Sequence, residues 1–149
     1  MSWIDDRLEQ REALAERNKL IDENADAIYY ALWKEIVGFI EEAVTKGLRV
    51  STNGAVQRRY IVLEAPLGLG QQRLELTMES KRTISAAGGS LNLKFDLDVC
   101  TDSVVCLKQQ GHQISERETA MLILDQFLFP DLAEVPLPSV YKYRGGRAL

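Results

Sequence analysis

The fold of this chain is decided by residues 3–46, WIDDRLEQREALAERNKLIDENADAIYYALWKEIVGFIEEAVTK. Residues 25–44 carry apolar side chains over most of a helical circumference, which predicts a helix buried against more than one neighbour. One continuous helix over 3–46 would be about 66 Å long, whereas a globule of 149 residues is roughly 40 Å across. We therefore expect the helix to overhang its domain, to bend back on itself, or to meet a second chain.

Signals for helix ends fit this span. Ser2 is a candidate N-cap, Asp5 and Asp6 suit the positive end of the helix dipole, and Gly47 suits the C-terminal end. The alternative is that Asn24 caps a second helix, which would turn the segment into a helical hairpin or a bent pair.

The first half of the segment is mostly polar, but some of its apolar residues recur at alternating spacings of four and three. Such spacing is typical of a short coiled-coil seam, in which a central Asn can fix the register. The seam predicts a homodimer, and its members are Leu14, Asn18, Ile21, Ala25, Ile28 and Leu32. The alternative is that the charged half is a solvated terminal helix with no partner.

Periodicity changes to two after Gly47, where Leu91, Leu93 and Phe95 alternate with polar residues, as in a sheet with one buried face. Turn signals stand at Asn53-Gly54, Pro66–Gly70 and Gly88-Gly89. They predict an antiparallel meander of four or five strands over 48–109. A capping box at Ser115 and Glu118 predicts a second helix over 115–129, packed on the same sheet face as the first. The class is therefore α+β in a single domain, 1–149, with an extended tail over 130–149.

Composition bounds the class of protein. The formal net charge is −4, and no segment has the basic balance that binding to a phosphate backbone needs. No apolar run is long enough to span a membrane and the N-terminus is acidic, so we expect a cytoplasmic protein without membrane contact. Cys100 and Cys106 are expected to be reduced thiols in the core. A disulfide across the turn at residues 101–103 is the alternative.

Catalytic machinery is hard to find in the sequence. His112 is the sole histidine, so a histidine-based metal site or catalytic triad would depend on it alone, and we interpret it as a polar loop residue. Glycine patterns for phosphate binding and for a calcium loop are incomplete. We expect neither a cofactor nor a metal. Nucleic-acid binding is disfavoured, its best carriers being Arg58-Arg59-Tyr60 and residues 141–147.

Tyr29, Tyr30 and Trp33 form an aromatic cluster at helical spacing. Such clusters are usually core, although they could also line a pocket for an apolar ligand between the first helix and the sheet. The sequence thus favours a non-catalytic, self-associating or protein-binding module, adaptor- or chaperone-like in character. The alternative is a small-molecule-binding protein or an unrecognised enzyme with that pocket.

Overall fold

The chain begins with a single helix, α1, over Trp3–Thr45. The structure is a computed structural model, and it describes residues 2–55, 60–67, 70–80, 82–88, 91–132 and 134–137 of the chain. Ser2 caps it, because the Ser2 hydroxyl accepts from the Asp5 N–H and the Asp5 carboxylate accepts from the Ser2 N–H. The alternative break at Asn24 is wrong, since the Asn24 side-chain amide donates to the Leu20 carbonyl at 2.8 Å within an unbroken helix.

An antiparallel sheet follows, and among the described residues it has seven strands in sequence order. The predicted meander is confirmed, but the count of four or five strands is wrong. The strands are β1 (Ser51–Ala55), β2 (Tyr60–Leu67), β3 (Gly70–Ser80), β4 (Thr83–Gly88), β5 (Leu91–Val99), β6 (Val105–Gln109) and β7 (His112–Ile114).

The sheet differs from the prediction at both of its edges, and the predicted range 48–109 omits β7. Asn53 and Gly54 lie inside β1, opposite Val62 and Ile61, so they do not form the expected turn. Gly54 is required there by a close approach, because a Cβ on it would stand 2.6 Å from the Tyr60 carbonyl oxygen. At the other edge, β7 is only three residues long and contains His112, which the sequence had suggested was in a loop.

The strand register gathers the apolar side chains on one face of the sheet. Ile61 lies opposite Leu76, Ile84 opposite Phe95, and Leu97 opposite Leu107. These residues form one hydrophobic core with the buried side chains of α1 and of a second helix, α2 (Glu116–Leu128). The other face carries polar and charged residues, as expected for an antiparallel sheet with one solvated face.

The second helix begins where the sequence predicts. The Ser115 hydroxyl accepts from the Glu118 N–H at 3.0 Å and the Glu118 carboxylate accepts from the Ser115 N–H, so the capping box is confirmed. A 3₁₀ turn over Pro130–Leu132 follows α2. The predicted extended tail is described only as far as Leu137, and residues 138–149 lie outside the described residues.

Cys100 and Cys106 form a disulfide, with their Cα atoms 6.1 Å apart. The expectation of two reduced thiols is wrong, because β5 and β6 are adjacent and bring the two side chains together across the short connection between these strands. The cysteines therefore no longer support assignment to a reducing compartment. Among the described residues, no helix is both long enough and apolar enough to cross a membrane.

Tyr29 anchors α1 to the middle of the sheet through a polar contact in the core. Its hydroxyl donates to the Leu76 carbonyl at 3.1 Å, and burial raises the pKa of the Tyr29 phenol. We expect Tyr29→Phe to lower the free energy of unfolding by about 1 kcal/mol, because a buried hydrogen bond is lost. Urea denaturation measures this. Tyr30→Phe, at a half-exposed ring, is the control, and an equal loss in both variants would contradict the anchoring role.

The disulfide closes a short loop between β5 and β6. In the chain-entropy model, a disulfide that closes a loop of this length lowers the entropy of the unfolded chain and so stabilises the folded state by about 2 kcal/mol. We expect the double variant Cys100→Ser, Cys106→Ser to have a free energy of unfolding lower by about 2 kcal/mol, measured by urea denaturation. Alkylation of the denatured, unreduced wild type should add no mass, and addition of two alkyl groups would contradict the pairing.

Candidate association surface and cavities

The first part of α1 extends beyond the rest of the protein. Every side chain from residue 3 to residue 17 is exposed, and the first buried side chain is that of Ile21. We call residues 3–17 the overhang, and at about 1.5 Å per residue it is about 22 Å long. The structure therefore shows a helix that overhangs its own domain and does not bend back on itself.

The overhang exposes large apolar side chains on the face that is buried further along the helix. Trp3 is 74% exposed, and Leu14 and Ile4 are each 53% exposed; Leu8 is similarly exposed but lies about 120° around the helix from Leu14. Leu14 precedes Ile21 by seven residues, or about two helical turns, and Trp3 precedes Leu14 by about three turns. Trp3 and Leu14 therefore continue the stripe that packs on the sheet, but they have no sheet beneath them.

The predicted association seam is divided by the structure. Its last four members lie in the core of this chain, where they pack against its own sheet: Ile21, Ala25, Ile28 and Leu32. Leu14 is exposed and Asn18 is partly buried. In the folded protomer only the start of the seam can meet another chain.

Ion pairs hold α1 where the overhang leaves the domain. The Arg17 guanidinium donates to Asp98 Oδ1 with an Nε–O distance of 2.9 Å, and Lys108 Nζ donates to Asp98 Oδ2 at 3.1 Å. Burial alone would raise the pKa of Asp98, but hydrogen bonds from Arg17, Lys108 and the Val99 N–H outweigh it and lower that pKa. On the same helix Asp22 pairs with Arg82 at 3.3 Å. These contacts fix the direction of the overhang.

The three residues of the aromatic cluster differ in burial. Tyr29 is buried in the core, whereas Tyr30 and Trp33 stack with ring centroids 6.4 Å apart near the surface. None of the three lines the cavities that the structure shows beside α2. Side chains such as Ile36 and Phe95 pack in the core between α1 and the sheet, and the pocket at the aromatic cluster stays a prediction.

Three cavities surround the C-terminal half of α2. One of about 600 Å³ lies between α2, the start of β5 and residues 135–137. A second of about 290 Å³ lies between the C-terminal end of α1 and α2. These two share Met121, Asp125, Phe129 and Leu137, and we call them together the α2 groove. The third, of about 620 Å³, lies between Leu48, Pro66 and Asp131. No periodicity in the sequence pointed to these sites.

Within the part of the chain that the structure describes, no three His, Cys, Asp or Glu side chains come together to hold a metal ion. His112 is exposed at the start of β7, and it lines none of the three cavities. The basic residues weighed for nucleic acid, Arg58, Arg59 and those of 141–147, lie outside the described residues.

No family model matches the chain, and no curated protein or solved structure matches it either. Its function is therefore inferred from its own surfaces.

The ion pairs at Asp98 predict a pH-dependent contribution to stability. Because the folded-state pKa of Asp98 is lowered, this contribution is present above about pH 4, the ordinary value for Asp, and is lost as the pH falls through the folded-state pKa. We expect Asp98→Asn to lower the free energy of unfolding at pH 7 by up to about 1 kcal/mol, and by less at pH 3. Urea denaturation at both pH values measures the difference.

Asp96→Asn is the matched control, since Asp96 is exposed on the same strand and the same sheet face. It should leave stability unchanged at both pH values. A deficit of Asp98→Asn that grows on acidification would contradict the role of the ion pairs.

Proposed function

We propose that this protein is a non-catalytic, self-associating module in which the overhang of one copy packs antiparallel against the overhang of a second. The observation that supports the proposal is the exposed apolar stripe of the overhang, with Trp3, Ile4 and Leu14. The protein then resembles an adaptor or chaperone in character, with the dimer presenting two copies of its remaining surface to a partner protein.

Free energy favours covering this stripe. Removing apolar surface from water is worth about 25 cal/mol per Å², or about 1.5–3 kcal/mol for a fully buried leucine or isoleucine side chain. A helical stretch of about 15 residues is marginally stable in water without packing. Apart from the Arg17–Asp98 ion pair at its end, the overhang has little packing within its own chain, because every side chain from residue 3 to residue 17 is exposed. A partner helix would both bury the apolar stripe and stabilise the overhang as a helix through packing.

A second copy of the overhang is a suitable partner because of its charge distribution. Residues 3–10 carry three acidic side chains and one basic side chain, a sum of −2, and residues 11–19 carry three basic and two acidic side chains, a sum of +1. Antiparallel packing about a two-fold axis brings the acidic start of each helix near the basic end of the other, and it opposes the two helix dipoles. Parallel packing would place like charges side by side. The complementary ends therefore favour the antiparallel arrangement.

A second candidate function is small-molecule binding. The α2 groove favours it, since its two cavities of about 600 and 290 Å³ are of the size of many ligand pockets. This site differs from the one that Tyr29, Tyr30 and Trp33 suggested. Binding of a ligand in the α2 groove is compatible with association through the overhang, because Ile21 is the first buried residue of α1 and the groove contacts α1 only from Phe39 onward.

Removal of two apolar side chains from the overhang tests the association. We expect the full chain to sediment as a dimer and the double variant Ile4→Gln, Leu14→Gln to sediment as a monomer, because the contact loses apolar area while glutamine preserves helix propensity. Sedimentation equilibrium gives the mass, and far-ultraviolet circular dichroism checks that both chains are folded.

The control is Tyr30→Gln, Val44→Gln, which removes two side chains of similar exposure from the same helix outside the overhang. This control should remain a dimer. A monomeric wild type at high protein concentration, or an overhang variant that stays dimeric, would refute the proposal.

A further inference from the structure

Asp125 stands at the wall that the two cavities of the α2 groove share. Its carboxylate accepts no hydrogen bond and makes no ion pair with any described residue. Around it the groove is largely apolar, with Met121, Leu128, Phe129 and Leu137 among the lining side chains. Asp125 is half-buried, and an acid without a partner in a largely apolar groove is unusual, because charges removed from water are normally paired.

The other ionisable groups that line the groove have partners. Glu118 accepts the Ser115 N–H at the start of α2. Glu42 and Lys46 pair with each other at 3.3 Å on α1. Among the described lining residues Asp125 is therefore the one charged group with neither a hydrogen-bond nor an ion-pair partner, and the sum of these four groups is negative.

Asp125 is retained at a cost to stability. Burial raises the pKa of its carboxyl group, so the ionised form that predominates near pH 7 is less favourable in the folded state than in the unfolded chain. For an acid with a raised pKa, this cost is present above the folded-state pKa and disappears as the pH falls below the unfolded value. Titratable groups in unfavourable surroundings within a cleft are frequent at binding sites.

We infer that the α2 groove binds an apolar organic cation, with its hydrocarbon part in the cavities and its protonated amine on the Asp125 carboxylate. The amine supplies the charge-assisted hydrogen bond that Asp125 lacks. The hydrocarbon part displaces water from the side chains on either side of Asp125. This site is separate from the overhang, so its failure and the failure of the proposed association are distinguishable.

Three probes of the same hydrocarbon length test the inference: hexylammonium, hexanol and hexanoate. Saturation-transfer NMR and calorimetric titration of the full chain at pH 7 give their relative affinities. We expect hexylammonium to bind at least about fivefold more tightly than hexanol, equivalent to about 1 kcal/mol, and hexanoate to bind most weakly. Equal affinity for all three, or no binding of any, would overturn the inference.

Variants at the groove separate charge recognition from apolar contact. Asp125→Asn should bind hexylammonium no better than hexanol, while Asp96→Asn, on the outer face of the sheet, should keep the preference. Loss of folding is not expected for Asp125→Asn, because it removes an unfavourable charge, and its melting temperature should equal or exceed that of the wild type. Retained preference in Asp125→Asn would overturn the inference.

A cation placed in the groove by substitution provides a second test. Met121 precedes Asp125 by four residues and lines both cavities, so Met121→Lys puts an ammonium group beside the carboxylate. We expect this variant to lose hexylammonium binding, and Met121→Gln to keep the preference for hexylammonium over hexanol. Undiminished binding to Met121→Lys would contradict a site at Asp125.

Discussion

The structure depends on covering one apolar face of a seven-stranded antiparallel sheet. Burial of that face is the main favourable contribution to folding, and α1 provides much of the cover with a stripe that runs from Ile21 to Ala43. The helix extends beyond the sheet at its N-terminal end, where Trp3 and Leu14 continue the apolar stripe but are exposed. The same hydrophobic pattern that folds the domain therefore leaves an uncovered apolar surface at its N-terminal end.

Local signals in the sequence predicted those parts of the fold that local interactions determine. Ser2 and Ser115 cap their helices as expected, since a cap is formed by residues within one turn of each other. The strand count was wrong in part because the short edge strand β7 was taken for a loop. The turn expected at Asn53-Gly54 was wrong because pairing with β2 holds both residues in β1. The disulfide was misjudged because the proximity of Cys100 and Cys106 follows from the pairing of β5 with β6.

The binding surfaces were harder to predict, because periodicity shows that a helix face will be buried but not what will cover it. The stripe through Ile21 and Leu32 looked like a seam between two chains, yet this chain's own sheet covers it. Arg17 and Asp98 are 81 residues apart, so their ion pair depends on tertiary structure alone. Asp125 gave no signal in the sequence, because only the packing of α2 against neighbouring segments makes its surroundings apolar.

The central claim, that a second copy covers the overhang in an antiparallel arrangement, is tested most directly by a distance between two spin labels. A label at Glu12→Cys lies near the proposed two-fold axis, and both native cysteines are held in the disulfide. Because axes of packed helices lie about 8–10 Å apart, electron–electron dipolar spectroscopy should give a distance under about 25 Å, whereas labels at Val44→Cys should be too far apart to couple. No coupling at residue 12, or short distances at both positions, would contradict the account.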